Sequence, residues 1–172
     1  MKKILYCFLI FLTTGNAWAG SDAANFAKLD IMGKALPADA AKWAMVHDKG
    51  TGLTWEAKTT NNSIHAMNDR YNWDEATEKF IATLNREKFG GFSDWRIPTK
   101  TEIYTIREKK NTPHTNTDFF PNTAPSKYWS YYICGDGSFI TKKVKFGKER
   151  SKGKGTRVRA VRGGEAPPQQ AD

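Results

Sequence analysis

Cysteine is nearly absent from this chain, which has only Cys7 and Cys134 among its 172 residues. Cys7 lies in the apolar stretch at the amino terminus, so the remainder of the chain keeps a single cysteine. One cysteine cannot form an internal disulfide, and this excludes the disulfide-rich class of small secreted domains. We interpret Cys134 as a small buried apolar residue, with a disulfide between two chains as the alternative.

Long hydrophobic runs are also lacking, which bears on membrane insertion. The one apolar run, at residues 4–12, is shorter than the roughly 20 residues that a membrane-spanning helix needs. It follows Lys2 and Lys3 and precedes Ala17-Trp18-Ala19, the pattern of small residues that signal peptidase reads. We therefore predict a signal peptide at residues 1–19 and export to the periplasm or the cell surface, with no transmembrane segment in the mature chain.

Motifs for catalysis and for metal or cofactor binding are lacking as well. The histidines, His47, His65 and His114, are scattered, and no two of them have the spacing of metal ligands. The chain has neither a phosphate-binding loop nor a Ser-His-Asp order. Asp136, between two glycines, is typical of a turn, with a lectin-like calcium site as the alternative. The sequence therefore predicts a binding protein without catalytic residues, cofactor or metal, and not an enzyme.

Aromatic and apolar residues, in contrast, suffice for a packed core. The 153 residues after residue 19 fit a single domain. Residues 20–42 have few large apolar side chains, and we interpret them as a lead-in arm. The globular domain is expected at residues 43–164, followed by a polar tail at residues 165–172.

Local patterns predict the main strands and helices. Residues 44–47 and 53–55 flank a glycine-containing turn and predict a first hairpin. The aromatic run at 128–133 predicts a strand that a Gly-Asp-Gly turn follows, and residues 139–146 and 156–162 predict two more.

Two helices are predicted from their capping residues. Asn72 and Glu75 form a capping box before an apolar stripe that ends near residue 87. Thr99 and Glu102 form a second capping box at the start of a short helix that ends before residue 109.

Five short motifs in a fixed order carry a family resemblance. They are Asp48…Thr51-Gly52-Leu53-Thr54-Trp55, Trp73-Asp74-Glu75-Ala76, Trp95-Arg96-Ile97-Pro98-Thr99…Glu102-Ile103, Tyr128-Trp129-Ser130 and Val158-Arg159-Ala160-Val161-Arg162-Gly163. In order and spacing they resemble the Lcl C-terminal domain family, which is named for a collagen-like bacterial adhesin. The resemblance covers about residues 43–164.

The resemblance implies an exported bacterial domain of the α+β class, with two helices around a small, mostly antiparallel sheet. This fold is akin to the C-type-lectin-like and formylglycine-generating-enzyme group, and the named adhesin binds sulfated glycosaminoglycans. The chain lacks collagen-like repeats and has Phe80 and Ala160 where many relatives place cysteines. The kinship raises an enzymatic alternative, but formylglycine chemistry uses paired cysteines, and only Cys134 remains.

Most residues of these motifs have structural interpretations. We interpret Trp95 and Trp129 as core residues, because large aromatic side chains dominate core burial. Arg96 is expected to hold a buried carboxylate or backbone carbonyls, with Asp94 as the nearby acid.

Positive charge is concentrated near the carboxyl end. Residues 140–162 contain ten Lys or Arg and one acid, whereas the rest of the mature chain has 15 bases and 17 acids. Alternate residues of a strand point to opposite faces, so pairing 139–146 with 156–162 as a hairpin would turn four cations outward. These four are Lys143, Lys145, Arg157 and Arg159. The connecting loop adds Lys148, Arg150, Lys152 and Lys154.

This basic hairpin predicts a module that binds polyanions such as sulfated or acidic glycans, lipopolysaccharide or extracellular DNA. One alternative is that the lysines only protect a strand at the edge of a sheet from pairing with another chain. A second alternative is a structural or protein-interaction role in the periplasm or on the surface, in which the aromatic strand contacts a partner.

Overall fold

Six short strands in two antiparallel sheets form the framework of this computed structural model, which describes residues 25–133, 139–146 and 155–164. The strands are β1 (Phe26–Leu29), β2 (Met45–Asp48), β3 (Thr54–Glu56), β4 (Lys127–Ile133), β5 (Phe139–Lys145) and β6 (Val161–Arg162). The first sheet has the order β1-β2-β3-β6, and the second consists of β4 and β5. The predicted α+β class with a small antiparallel sheet is confirmed, while the C-type-lectin-like assignment stays a prediction.

The helical residues lie between β3 and β4. Helix α1 begins as a π-helix at Glu75–Ile81 and continues as an α-helix at Ala82–Arg86. A 3-10 turn at Phe89–Gly91 follows, and α2 spans Lys100–Thr105. Both predicted capping boxes are present: Asn72 and Glu75 exchange two hydrogen bonds of 2.8 and 2.9 Å, and Thr99 and Glu102 exchange two of 3.1 and 2.8 Å.

The globular part begins earlier than the sequence predicts. Strand β1 lies within the expected lead-in arm, yet it pairs with β2 and buries Phe26 in the core. Lys28 is buried too, because its Nζ donates to the carbonyl of Ala40 at 2.8 Å and lies 3.9 Å from the ring centre of Trp43. A cation–π contact of this kind lets a charged residue occupy an inward strand position, which conceals the strand in the sequence pattern.

The predicted first hairpin is confirmed as β2 and β3. The carboxylate of Asp48 accepts a hydrogen bond from the backbone of Gly50 at 2.9 Å, which closes the turn. Gly52 has a φ of 73°, a backbone conformation that favours glycine. Val46 and Trp55 face each other across the pair, and both are fully buried.

Tryptophans Trp95 and Trp129 are buried, as the sequence predicts. Arg96 forms two hydrogen bonds, of 2.8 and 2.6 Å, with the carboxylate of Glu102 and a third, of 2.6 Å, with the carbonyl of Gly163. The prediction that Asp94 is the partner of Arg96 is therefore wrong. Asp94 instead accepts two hydrogen bonds from Arg162. The capping box explains the choice, because it already holds the Glu102 carboxylate at the start of α2.

The interior also contains a cluster of charged groups around Glu56, whose side chain is fully buried. Its Oε1 lies 2.8 Å from the Nζ of Lys58 and 2.8 Å from the Nδ1 of His65. Its Oε2 accepts the backbone N–H of Ala160 at 3.1 Å, and its backbone carbonyl accepts from Arg159 at 2.7 Å. We call Glu56, Lys58, His65 and Arg159 the buried charge cluster. It joins β3 to the loop that follows it and to a segment more than 100 residues later in the sequence.

Mutual attraction offsets part of the cost of burying the Glu56 carboxylate and the Lys58 ammonium. Burial by itself raises the pKa of Glu56, but the attraction and hydrogen bonds of Lys58 and His65 outweigh it and hold the pKa below its usual value. Burial lowers the pKa of Lys58, and the neighbouring carboxylate of Glu56 opposes that shift. Each charge is therefore tolerated in the interior only because the other is present.

We predict that Glu56→Ala lowers the free energy of unfolding by about 3–5 kcal/mol, because it leaves the Lys58 ammonium and the Ala160 N–H buried without a partner. Urea denaturation followed by tryptophan fluorescence measures this loss. The control is Glu78→Ala, which removes an exposed acid of α1 and should change the stability by no more than about 0.5 kcal/mol. Similar losses in both variants would show that the cluster does not hold the fold together.

Candidate functional site

The second sheet carries the exposed cations. Strand β5 pairs antiparallel with β4, so that Lys127 lies opposite Lys145 and Trp129 lies opposite Lys143. These four residues share one face, because alternate strand residues point to the same side. Trp129 packs on the core, whereas the lysines are exposed. Most side chains of β5 are therefore not covered by the elements that bury β4.

Three lysines come together on this face. We call Lys127, Lys143 and Lys145 the lysine face. Residues directly opposite each other in an antiparallel pair have Cβ atoms about 4.5–5.5 Å apart, and alternate residues of one strand are about 7 Å apart. None of the three forms an ion pair with an acid in the described ranges. The face therefore repels itself and attracts anions.

An aromatic pair borders the lysine face. The Nζ of Lys143 lies 4.4 Å from the ring centre of Trp129. The indole N–H of Trp129 donates to the carbonyl of Tyr71 at 3.0 Å, which fixes the ring. The ring of Trp73 meets that of Trp129 edge to face, with 5.5 Å between the ring centres. Lys143 is thereby positioned over the indole of Trp129, which Trp73 also contacts.

A fourth cation lies at the end of β5. The Nε of Arg107 donates to the carbonyl of Lys145 at 2.8 Å, so its guanidinium lies at the edge of the strand. Its Cζ is 5.5 Å from the ring centre of Tyr104. The next lysine of β5, Lys142, is exposed on the opposite side of the sheet and does not belong to the lysine face.

The prediction of a basic hairpin is wrong in two respects. Its two strands do not pair with each other, and two of the four cations predicted to point outward are buried. Strand β5 pairs with β4, and only Val161–Arg162 of the second predicted strand form a strand, which pairs with β3. Lys143 and Lys145 are exposed as predicted. Arg157 and Arg159, in contrast, are buried, with 7% and 1% of their surface exposed.

The path of residues 155–160 explains this error. The carbonyl of Arg157 accepts from Trp129 of β4 at 2.8 Å, and the carbonyl of Ala160 accepts from Glu56 of β3 at 3.0 Å. Residues 156–160 of this segment are all buried and contact both sheets, so neither face of that stretch is open to water. Alternation in a strand separates two faces, but it does not tell whether either is exposed.

Backbone and hydroxyl oxygens satisfy the two buried guanidinium groups. Arg157 donates to the carbonyl of Met67 at 2.8 Å and to the hydroxyl of Ser126 at 3.2 Å. Arg159 donates to the carbonyl of Glu56 and to the hydroxyl of Thr123 at 2.8 Å. Both arginines therefore hold the framework together and offer almost no exposed surface to a ligand.

The remaining predicted cations fall where the structure gives no description. Lys148, Arg150, Lys152 and Lys154 lie outside the described residues, as do Cys134 and the candidate calcium residue Asp136. In the described ranges, no group of three or more His, Cys, Asp or Glu side chains is arranged to hold a metal ion. Among those same residues, no helix has the length and apolar character needed to cross a membrane.

Sequence reasoning missed Lys127 and the aromatic border. The signal was present, because a Gly-Asp-Gly turn between two predicted strands is typical of a hairpin. Pairing the strands across that turn would have placed Lys127 opposite Lys145. The position of Trp73 beside Trp129 depends on how α1 packs on β4, and no local pattern contains that information.

Comparison with known proteins gives one match. The family described as Lcl C-terminal domain matches residues 44–162. This range includes both helices and strands β2 to β6, and it excludes β1. Neither a curated protein nor a solved structure matches the chain.

The repulsion within the lysine face predicts a stability change. Lys145→Glu places an acid opposite Lys127, so the melting temperature should rise by about 1–3 °C at low salt. The rise should largely vanish in 1 M salt, where exposed charges are screened beyond about 3 Å. Differential scanning fluorimetry measures both values. The control Lys42→Glu makes the same charge change at an exposed position outside β4 and β5, and an equal rise there would contradict the repulsion within the lysine face.

Proposed function

The chain belongs to the Lcl C-terminal domain family, and from this premise we propose that it is an exported bacterial module that binds polyanions through the lysine face. The observation that carries the proposal is the grouping of three exposed lysines without acidic partners in the described part of the chain. The preferred ligands are sulfated or acidic glycans. Residues 1–19 act as the export signal in this proposal.

Electrostatic attraction supplies most of the binding. Each ammonium offers three N–H donors on a flexible stem and adapts to sulfate, phosphate or carboxylate groups. The spacing of about 7 Å between Lys143 and Lys145 suits successive charged groups on a linear polymer. An anion on the face also relieves the repulsion between Lys127 and Lys145. Binding should therefore weaken as salt increases.

The proposed role is binding and not catalysis. The exposed ammonium groups of the lysine face provide positive charge and N–H donors, and they have no acceptor atom. The two arginines that reach the interior are already occupied by carbonyl and hydroxyl oxygens. The ligand contacts of the proposal are thus limited to exposed ammonium groups and the adjoining side chains.

A protein-interaction role is the second candidate, and one observation favours it. On the opposite face of the second sheet, Tyr132 and Ile140 lie directly across from each other, with 48% and 43% of their surface exposed. Tyrosine is enriched at protein interfaces, and an exposed aliphatic neighbour adds apolar area. A partner on this face would leave the lysine face free.

Retention on immobilised heparin tests the proposal. The triple variant Lys127→Glu, Lys143→Glu and Lys145→Glu should elute at a much lower salt concentration than the original protein, because attraction becomes repulsion. The matched control is Lys34→Glu, Lys42→Glu and Lys88→Glu, which makes the same change of net charge at exposed positions outside the second sheet. Its elution should stay close to that of the original protein.

Two results would count against the proposal. Equal elution of the two triple variants would mean that heparin responds only to net charge. Unchanged elution of the lysine-face variant would remove the site altogether. Melting temperatures of both variants verify that they are folded.

A further inference from the structure

We propose that Trp73 is a specificity residue of this site, stacking against a sugar ring whose acidic group binds the lysine face. This inference rests on the proposed function, because the lysine face supplies the attraction for the acid. It makes acidic saccharides the preferred ligands over polyanions without rings, which would bind the lysine face alone.

Hydrogen bonding distinguishes Trp73 from the other described tryptophans. Three indole N–H groups donate to backbone carbonyls: Trp43 to Phe119 at 2.9 Å, Trp95 to Phe89 at 2.9 Å and Trp129 to Tyr71 at 3.0 Å. The indole N–H of Trp55 is buried. Trp73 is partly exposed, and its N–H has no partner in the described part of the chain. It is thus the described indole that can still donate to a ligand.

Trp73 and Lys143 share Trp129 as a neighbour. The ring centre of Trp73 is 5.5 Å from that of Trp129, and the Nζ of Lys143 is 4.4 Å from the same ring. Trp73 and the Lys143 ammonium therefore both contact one fixed indole, that of Trp129. The capping box of Asn72 and Glu75 holds the backbone beside Trp73, so the ring is positioned before a ligand arrives.

The groups around Trp73 are chemically complementary to an acidic sugar. An aromatic face suits the C–H face of a sugar ring, a free N–H suits a hydroxyl or ring oxygen, and an ammonium suits a carboxylate or sulfate. Asp74, the next residue, is exposed and can accept a hydroxyl hydrogen. A saccharide presents hydroxyl groups to this acceptor, whereas a DNA strand has none within its chain, so a saccharide fits this border better than DNA whose bases stack on the indole.

Isothermal titration calorimetry with three ligands tests the inference. The ligands are a short heparin oligosaccharide, a linear polyphosphate of similar charge and a short oligothymidylate. Trp73→Leu should raise the Kd for the oligosaccharide about tenfold, within the range measured for loss of one stacking contact. It should leave the Kd for polyphosphate unchanged within about twofold. Trp73→Phe keeps an aromatic ring but loses the N–H, so its Kd for the oligosaccharide should lie between those of the original protein and of Trp73→Leu. The phenylalanine variant also provides the test if the leucine variant does not fold.

Two further variants separate this inference from the proposed function. Tyr132→Leu removes an exposed aromatic from the opposite face of the sheet and should leave all three affinities unchanged. The lysine-face triple variant should weaken all three ligands. If it weakens none, the proposed function is wrong. If it weakens all while Trp73→Leu leaves the oligosaccharide unchanged, only the assignment of Trp73 is overturned.

Two other outcomes would also overturn the assignment. Equal loss of oligosaccharide and polyphosphate in Trp73→Leu would mean that Trp73 merely positions Lys143. Loss of oligothymidylate alone would mean that the indole stacks on bases and that the ligand is a nucleic acid.

Discussion

The carboxylate of Glu56 is the contact on which the rest of the structure depends. It binds Lys58, His65 and the backbone of Ala160, and so joins β3 to the loop that follows it and to the segment before β6. Since that segment is held between the two sheets, it cannot form a hairpin with β5. Strand β5 instead pairs with β4 alone in the described ranges and carries its lysines at the outside of the molecule.

This arrangement divides the basic carboxyl-terminal segment into two parts with different tasks. Arg157 and Arg159 enter the interior, where a planar guanidinium with several fixed donors can satisfy carbonyls and hydroxyls from distant segments. The lysines of β5 stay in water, where a compact and strongly hydrated ammonium is less costly. Within this segment, Arg157 and Arg159 thus belong to the framework, whereas Lys143 and Lys145 belong to the candidate binding surface.

Local signals predicted much of the fold. The hairpin of β2 and β3, both capping boxes and strand β4 follow from turn residues, capping pairs and β-propensity, all of which act within a few residues. The burial of Arg159 depends on Glu56, 103 residues earlier, and no short-range pattern contains such a contact. For the same reason the sequence identified Lys143 and Lys145 but not Lys127 or Trp73, whose places depend on strand pairing and on the packing of α1.

Residue-specific chemical labelling tests this division most directly. Amine acylation and arginine modification, followed by mass spectrometry in buffer and in urea, report which side chains reach water. The account predicts that the lysine face and the exposed control Arg86 react at the same rate in both conditions, whereas Arg157 and Arg159 are protected until urea unfolds the chain. Labelling of Arg157 and Arg159 in the folded protein as fast as Arg86 would contradict it.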